Sequence, residues 1–280
     1  MTKNLIGFVY NPKISASSSL VRSLIDDLNI ENSWVGEPNN LGVTKAQLAS
    51  TSTIVTAGGD GTILRTIRST LGMSIPILGI NMGRVGFMTE LTVSEAPKLV
   101  PEYLFGNPTI ETRMMLEGHV TGIGSFHSLN DIVVARGTET RLLDIKIIVD
   151  DGYVTTYRAD GVVIATETGS TAYALAAGGP VVHPKSNVIL VQPIAPHNGL
   201  RTGLVLPSDS LLNVSIEISQ EGVVTVDGFA DAVLSGSQTV IVKKSNHVAR
   251  FLRSSTKTGS YYNLSRSLGF DNQSQRKTSN

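Results

Sequence analysis

Near Pro108 the hydrophobic rhythm of this chain changes period, so its two halves cannot belong to one uniform architecture. Upstream, apolar β-type runs alternate with segments of helical spacing: Leu5 to Tyr10, then Leu20, Val21, Leu24, Ile25 and Leu28, later Thr53 to Ala57, Ile63 to Leu71 and Ile75 to Ile80. That alternation is a βαβ rhythm and predicts a parallel sheet. Downstream the runs become short, mostly alternating strands with turn signals, as in Ile145 to Val149, Asp150-Asp151-Gly152 and Tyr153 to Tyr157. Such a pattern predicts a mainly antiparallel, sandwich-like β domain. One helical interruption is expected over Ser170 to Ala177, where small residues of high helix propensity follow capping residues.

The expected organisation is therefore an α/β domain over 1–106, a β-rich domain over 107–255 and a tail over 256–280 that packs back on the N-terminal domain, with a polar, disordered end. Gly106-Asn107-Pro108 punctuates the first boundary. With 280 residues, 41% of them hydrophobic, the chain can bury two modest cores.

Charge narrows the function. Lys plus Arg and Asp plus Glu both number 23, and charged residues make up 16% of the chain. Neutrality speaks against a general nucleic-acid or anionic-membrane binder. The absence of cysteine removes disulfides, thiolate zinc and a thiol nucleophile, and the five histidines show no metal-ligand spacing. The run Leu5 to Tyr10, stopped by Asn11-Pro12-Lys13, is too short for a signal-peptide core. The uncharged stretch from Thr168 is broken by Gly178, Gly179 and Pro180, far short of a span of about 20 apolar residues. The expectation is a mature, cytoplasmic protein.

The sharpest chemistry lies in Gly58-Gly59-Asp60-Gly61-Thr62, between an apolar strand and a helix beginning near Ile63. A glycine-rich strand-to-helix turn lets backbone amides and the positive helix end approach a phosphate. The segment has neither the P-loop nor the GxGxxG spacing. Asp60 is out of place among such amides, because a phosphate repels it unless it meets a hydroxyl proton or a bridging cation. It is either a catalytic base or an ordinary turn and capping residue. Asn81-Met82-Gly83-Arg84-Val85-Gly86-Phe87 follows the next strand and would sit beside that turn, beyond the carboxyl ends of the sheet. Phe87 there either covers a base or fills the core beneath the loop.

In the second half, Leu129-Asn130-Asp131 heads an apolar strand, where Asn and Asp either close a turn or contact a nucleoside. Asp160-Gly161 leads through Val162 to Thr166 into Glu167-Thr168-Gly169-Ser170-Thr171-Ala172-Tyr173, closed by Gly178-Gly179-Pro180. Three hydroxyls around a glycine exceed what one helix cap requires, which favours a nucleotide-binding loop over a redundant cap.

Taken together and in this order, these segments resemble the NAD kinase family, from about Leu5 to Asp227. The first motif is shared with diacylglycerol and sphingosine kinases and phosphofructokinases. The Thr168 to Tyr173 block is far more specific. The resemblance implies phosphorylation of the 2′-hydroxyl of the adenosine ribose of NAD by ATP or polyphosphate, with Asp60 as base. It places Gly61 at the pyrophosphate and counts Gly58, Gly59, Thr62 and Phe87 among the cofactor-binding residues. It also places Asn130 and Asp131 at the adenosine half, Asp160 at the nicotinamide end, and Ser170, Thr171, Ala172, Tyr173, Ala174, Leu175 and Ala176 along the nucleotide cleft. Arg141, Arg158 and Ala195 match binding positions by their offsets. The implied protein is a homo-oligomer, dimer or tetramer.

The sequence departs from the family pattern at Asp131 (often Glu), Glu167 (usually Pro), Phe229 (commonly Gln) and Thr202 after Arg201 (usually Pro). The loop carries no lysine, so a divalent ion, Mg²⁺ by preference, bridging the donor phosphates is the simplest source of positive charge. Two further readings share part of the pattern. A lipid kinase would share the first loop without needing the Thr168 to Tyr173 block, and a non-catalytic NAD sensor would tolerate loss of Asp60.

Overall fold

The computed structural model describes residues 5–83, 86–138, 141–197, 200–217, 219–236 and 238–254. It divides into two compact units, one taking in the chain up to Thr112 together with the stretch from Ala249 onward, the other Arg113–Val248. The first unit thus extends six residues past the punctuation at 106 and recovers chain from beyond the second. The tail expected over 256–280 lies outside the described residues.

Unit 1 is an α/β layer. In order it holds β1 (Leu5–Tyr10), α1 (Ser15–Asp27), β2 (Ser33–Gly36), α2 (Lys45–Ala49), β3 (Thr51–Gly58), α3 (Asp60–Ser69), β4 (Ile77–Asn81), β5 (Leu91–Thr92) and α4 (Ala96–Phe105). The strands pair in parallel as β2-β1-β3-β4-β5. β3 and β4 are buried along almost their whole length, which accounts for their continuous apolar runs. Phe8, Val21, Leu24, Val55, Leu78, Ile80 and Val100 form the core between sheet and helices. α3 buries Thr62 and Thr66 on its inner face. Thr66 Oγ1 donates to the Thr62 carbonyl and that of the C-cap residue Thr70 to the Thr66 carbonyl, both at 2.8 Å, while the Thr62 hydroxyl has no partner among the described residues.

Unit 2 is a two-sheet antiparallel domain. Its elements are β6 (Thr109–Val120), β7 (Gly124–Ser128), β8 (Asp131–Arg136), β9 (Leu143–Val149), β10 (Gly152–Ala159), β11 (Gly161–Thr166), a 3-10 turn (Gly169–Thr171), α5 (Tyr173–Ala176), β12 (Val188–Ile194), β13 (Leu204–Pro207), β14 (Leu212–Ile216), β15 (Glu221–Val226), β16 (Phe229–Ser235) and β17 (Thr239–Arg253). One sheet runs β10-β9-β14-β17, and the other runs β13-β12-β11-β8-β15-β16. Their inner faces meet in a single core that includes Leu116, Ile132, Ile145, Tyr157, Ile164, Val191, Val214 and Val242. The Asp150-Asp151 hairpin is a two-residue turn with φ of 49° and 66°.

The strands of the second half mostly alternate, as expected, and β11 is an exception, buried at every position, because its outer face, with Val133 and Leu190, is covered by α5 through Ala174. One expectation needs adjustment. The helix expected over Ser170 to Ala177 is a 3-10 turn followed by a four-residue α-helix, broken where Ala172 leaves helical dihedrals (φ −99°, ψ −124°).

The strand β17 ends in unit 1, where Phe251 pairs in parallel with Ile77 of β4 and Leu252 joins the core. Arg253, beside them, donates Nη1 to the Met88 carbonyl (3.0 Å) and to Glu90 Oε2 (3.1 Å), and Nε to Glu111 Oε2 (2.7 Å).

Candidate functional site

In unit 1 the glycine turn starts α3 earlier than the sequence suggested. Gly59 is the N-cap and Asp60 the first helical residue, where a negative charge is favoured by the helix end. A side chain at Gly58 would overlap that of Thr62, so the turn can be this tight only with glycine there. Nothing stands within 4 Å of where a Cβ on Gly59 would lie, and at Gly61 only an Arg65 nitrogen comes near, at 3.5 Å. The backbone beside Asp60 is therefore open to a ligand.

The second loop lies against this turn. Met82 N–H donates to the Gly58 carbonyl (3.0 Å), and the Asn81 side chain closes its own turn by accepting the Gly83 N–H (3.1 Å). The chain then brings Phe87 and Met88 to the Asp60 carboxylate: Oδ2 accepts the Phe87 N–H at 2.9 Å and Oδ1 that of Met88 at 3.1 Å. A side chain at Gly86 would overlap that carboxylate. Two fixed donors orient both oxygens, and each oxygen keeps a lone pair for a further proton. Phe87 is half-buried, and its contact with this site is through its backbone N–H. Gly86 belongs to the segment singled out in the sequence, whereas Met88 carries no chemical signal of its own there.

Unit 2 gathers a second set. Asn130 and Asp131 head β8 and are buried. The Asn130 Oδ1 has no hydrogen-bond partner among the described residues. Burial, then the facing Asp227 carboxylate, push the Asp131 carboxyl up to about 7, against a hydrogen bond from the Tyr173 backbone. The 3-10 turn packs directly on β8, since a side chain at Gly169 would overlap the Asn130 carbonyl. Ser170 is fully buried; its hydroxyl donates to the Glu167 carbonyl (2.7 Å) and accepts the Val182 N–H (3.0 Å). Thr171 is half-buried and bonded to the Thr168 carbonyl (3.1 Å). The surplus hydroxyls thus serve the loop's own fold. Ala172 and Leu175 are half-buried, Ala174 is buried, and Tyr173 and Ala176 are exposed.

Glu167 is 2% exposed, so the departure from proline places a carboxylate in the interior. Burial raises its pKa, opposed by a local backbone hydrogen bond, by Arg113 and by the Met114 backbone. Arg113, itself buried, also donates Nη1 to Thr168 Oγ1 (3.3 Å). Asp160 pairs with Arg136 Nε at 2.6 Å, both side chains about 34% exposed. Its N–H donates to the Ile194 carbonyl, and the His197 N–H donates to the Arg158 carbonyl, so Arg158, Asp160 and the exposed Ala195, strained at φ 45°, come together. Arg141 is exposed on the connection between β8 and β9 and makes no hydrogen bond to this group among the described residues. Sequence reading missed Asp227, Arg113 and Arg136 as partners. The Asp-Gly dipeptide at 227 was the one available signal, and it marks only a turn.

Among the described residues no group of three or more His, Asp or Glu side chains could hold a metal, and no helix is long and apolar enough to cross a membrane.

Residues 7–107 match the model of the ATP-NAD kinase N-terminal domain, and residues 129–254 that of the ATP-NAD kinase C-terminal domain. The chain is similar to an NAD kinase of Dehalococcoides mccartyi, 37% identical over 277 residues covering 96% of this chain and 97% of that one. It is also similar to an NAD kinase of Caldanaerobacter subterraneus, 39% identical over 218 residues covering 76% of each. Among solved structures, an Archaeoglobus fulgidus NAD kinase in complex with ATP superposes with a TM-score of 0.77 at 26% identity, over 95% of this chain and 98% of that one. Yeast NADH kinase complexed with NADH shares the fold, with a TM-score of 0.84 at 24% identity over 99% of this chain and 88% of that one.

Proposed function

This chain belongs to the NAD kinase family and phosphorylates NAD to NADP, and from that premise we propose that Asp60 accepts the proton of the 2′-hydroxyl on the adenosine ribose as the phosphoryl group arrives. The observation that carries this role is a carboxylate fixed by the Phe87 and Met88 N–H groups beside open glycine backbone at the start of α3. Phosphoryl transfer through a loose transition state asks for a held, correctly aimed acceptor more than for a strong base. Gly59, Asp60 and Gly61 present the helix-start amides to the phosphates, while the Thr62 N–H closes the turn on the Gly59 carbonyl at 2.9 Å. Asn130, Asp131, Asp160, Tyr173 and the small residues of α5 supply the nucleoside contacts, with Arg141, Arg158 and Ala195 at their margin.

With no protein cage for a metal among the described residues, a divalent ion fits this chain only as a partner of the donor phosphates. Bound there, it neutralises the charge on the transferring group. ATP is the expected donor, in keeping with the ATP complex of the A. fulgidus relative. The same reading expects a cytoplasmic homo-oligomer.

The test is steady-state formation of NADP by purified protein with NAD, ATP and Mg²⁺. Asp60→Asn is expected to lower turnover by about 10² to 10⁴ while NAD affinity stays within several-fold. Near-normal turnover of that variant would remove Asp60 from the role.

A further inference from the structure

The β15–β16 hairpin turns on Asp227 and Gly228, both with positive φ (50° and 80°). From this turn the Asp227 carboxylate reaches the head of β8. Oδ2 accepts the N–H of Leu129 at 3.0 Å, and Oδ1 accepts those of Asn130 at 2.7 Å and Asp131 at 3.3 Å. The Asp227 N–H in turn donates to the Asp131 carbonyl at 3.0 Å. Three consecutive amides converging on one point form a nest of the kind that binds anions, filled here by a side chain of the same chain. The arrangement fixes the peptide planes from which the Asn130 and Asp131 side chains depart. Asp131 then passes the constraint on, because its carboxylate accepts the backbone N–H of Tyr173 at the start of α5.

We propose that Asp227 is a positioning residue for the dinucleotide, holding Asn130 and Asp131 in the orientation that meets the nucleoside. This rests on the assignment of those two residues to NAD made above. Its carboxylate is held against the backbone that carries Asn130 and Asp131, so the role assigned to it is in binding, and its signature is a raised KM with kcat retained. The charge facing Asp131 is that of Asp227; α5 offers the Tyr173 N–H, and the residue opposite on β11 is Ala165. Asp227 therefore also adds to the effect of burial in raising the pH at which Asp131 ionises, in addition to fixing where it points.

The experiment uses the full chain carrying Asp227→Asn, which keeps a residue tolerant of positive φ and removes the charge, and Asp227→Gly, which keeps the turn and removes the side chain. NAD binding by the unaltered protein is measured first. In both variants KM for NAD is expected to rise about tenfold while kcat at saturating NAD stays within about twofold. In the unaltered protein KM should change with pH around 7, and in Asp227→Asn that change should move to lower pH, since one carboxylate no longer opposes ionisation of the other. Unchanged KM and an unmoved pH profile in Asp227→Asn would overturn the proposal, as would a lowered melting temperature with both kinetic constants intact. If Asp227→Gly does not fold, Asp227→Asn decides alone. Failure of the unaltered protein to bind NAD would overturn the site assignment itself and this inference with it.

Discussion

Asp60 depends on a neighbour that has no side chain. A methyl group at position 86 would stand under 3.0 Å from the Asp60 carboxylate, so either the carboxylate or the second loop must shift. Gly86→Ala is therefore expected to cut turnover by about tenfold or more with little change in melting temperature, because misplacing an acceptor by an ångström is costly to transfer and cheap to stability. A kinetic and thermal comparison with the parent checks it. Asp131 gives a pH prediction. Its carboxyl is raised from 3.8 to about 7 in the folded protein. Between those values the folded state holds a proton that the unfolded chain has released, so stability falls as pH rises from about 4 to about 7 and levels off above. Asp131→Asn should flatten that slope in thermal melts taken across the range. Of these residues, Asp60 was legible because a carboxylate among phosphate-cradling glycines is chemically conspicuous. Its donors were not, since they arrive from 27 and 28 positions away as backbone N–H groups of residues whose side chains are irrelevant to the contact.

The elements show a similar division between what is local and what is not. The βαβ rhythm and the Asp150-Asp151 hairpin are written in spacing and turn residues, and both are present. α4 was not expected from spacing, and it carries Pro97 near its start and Pro101 within it, residues that ordinarily argue against a helix. Pro97 costs little where the first-turn N–H groups lack partners anyway, and Pro101 is tolerated although its missing N–H would have met the Pro97 carbonyl. The 3-10 turn and β8 are joined by closeness that only Gly169 permits. Gly169→Ala would push backbone against the Asn130 carbonyl, and overpacking of that kind costs about 1–3 kcal/mol. The expected result is a lower melting temperature and weakened NAD affinity together, seen by calorimetry on the same preparation. Retained affinity at a lowered melting temperature would separate the turn from the nucleotide contacts.

At the level of the whole molecule, the feature that local patterns could not reveal is β17, which begins in one unit and ends in the other. Its last residue described in a strand, Arg253, satisfies Glu90, whose side chain is 3% exposed, and Glu111. Removing the cation leaves buried carboxylates without it, so Arg253→Met is expected to cost about 3–5 kcal/mol, with amide exchange rising first in β4 and α4. Uniform exchange across both units would argue against that account. The same strand fixes an order of events during synthesis. The ribosome delivers the first 112 residues of unit 1 early, yet Phe251, Leu252 and Arg253 follow only after the whole of unit 2 has been made. At about 5–20 residues per second that interval is roughly 7–27 s. For that time the nascent β4 has an unclaimed margin, and the unit begun first is the one completed last.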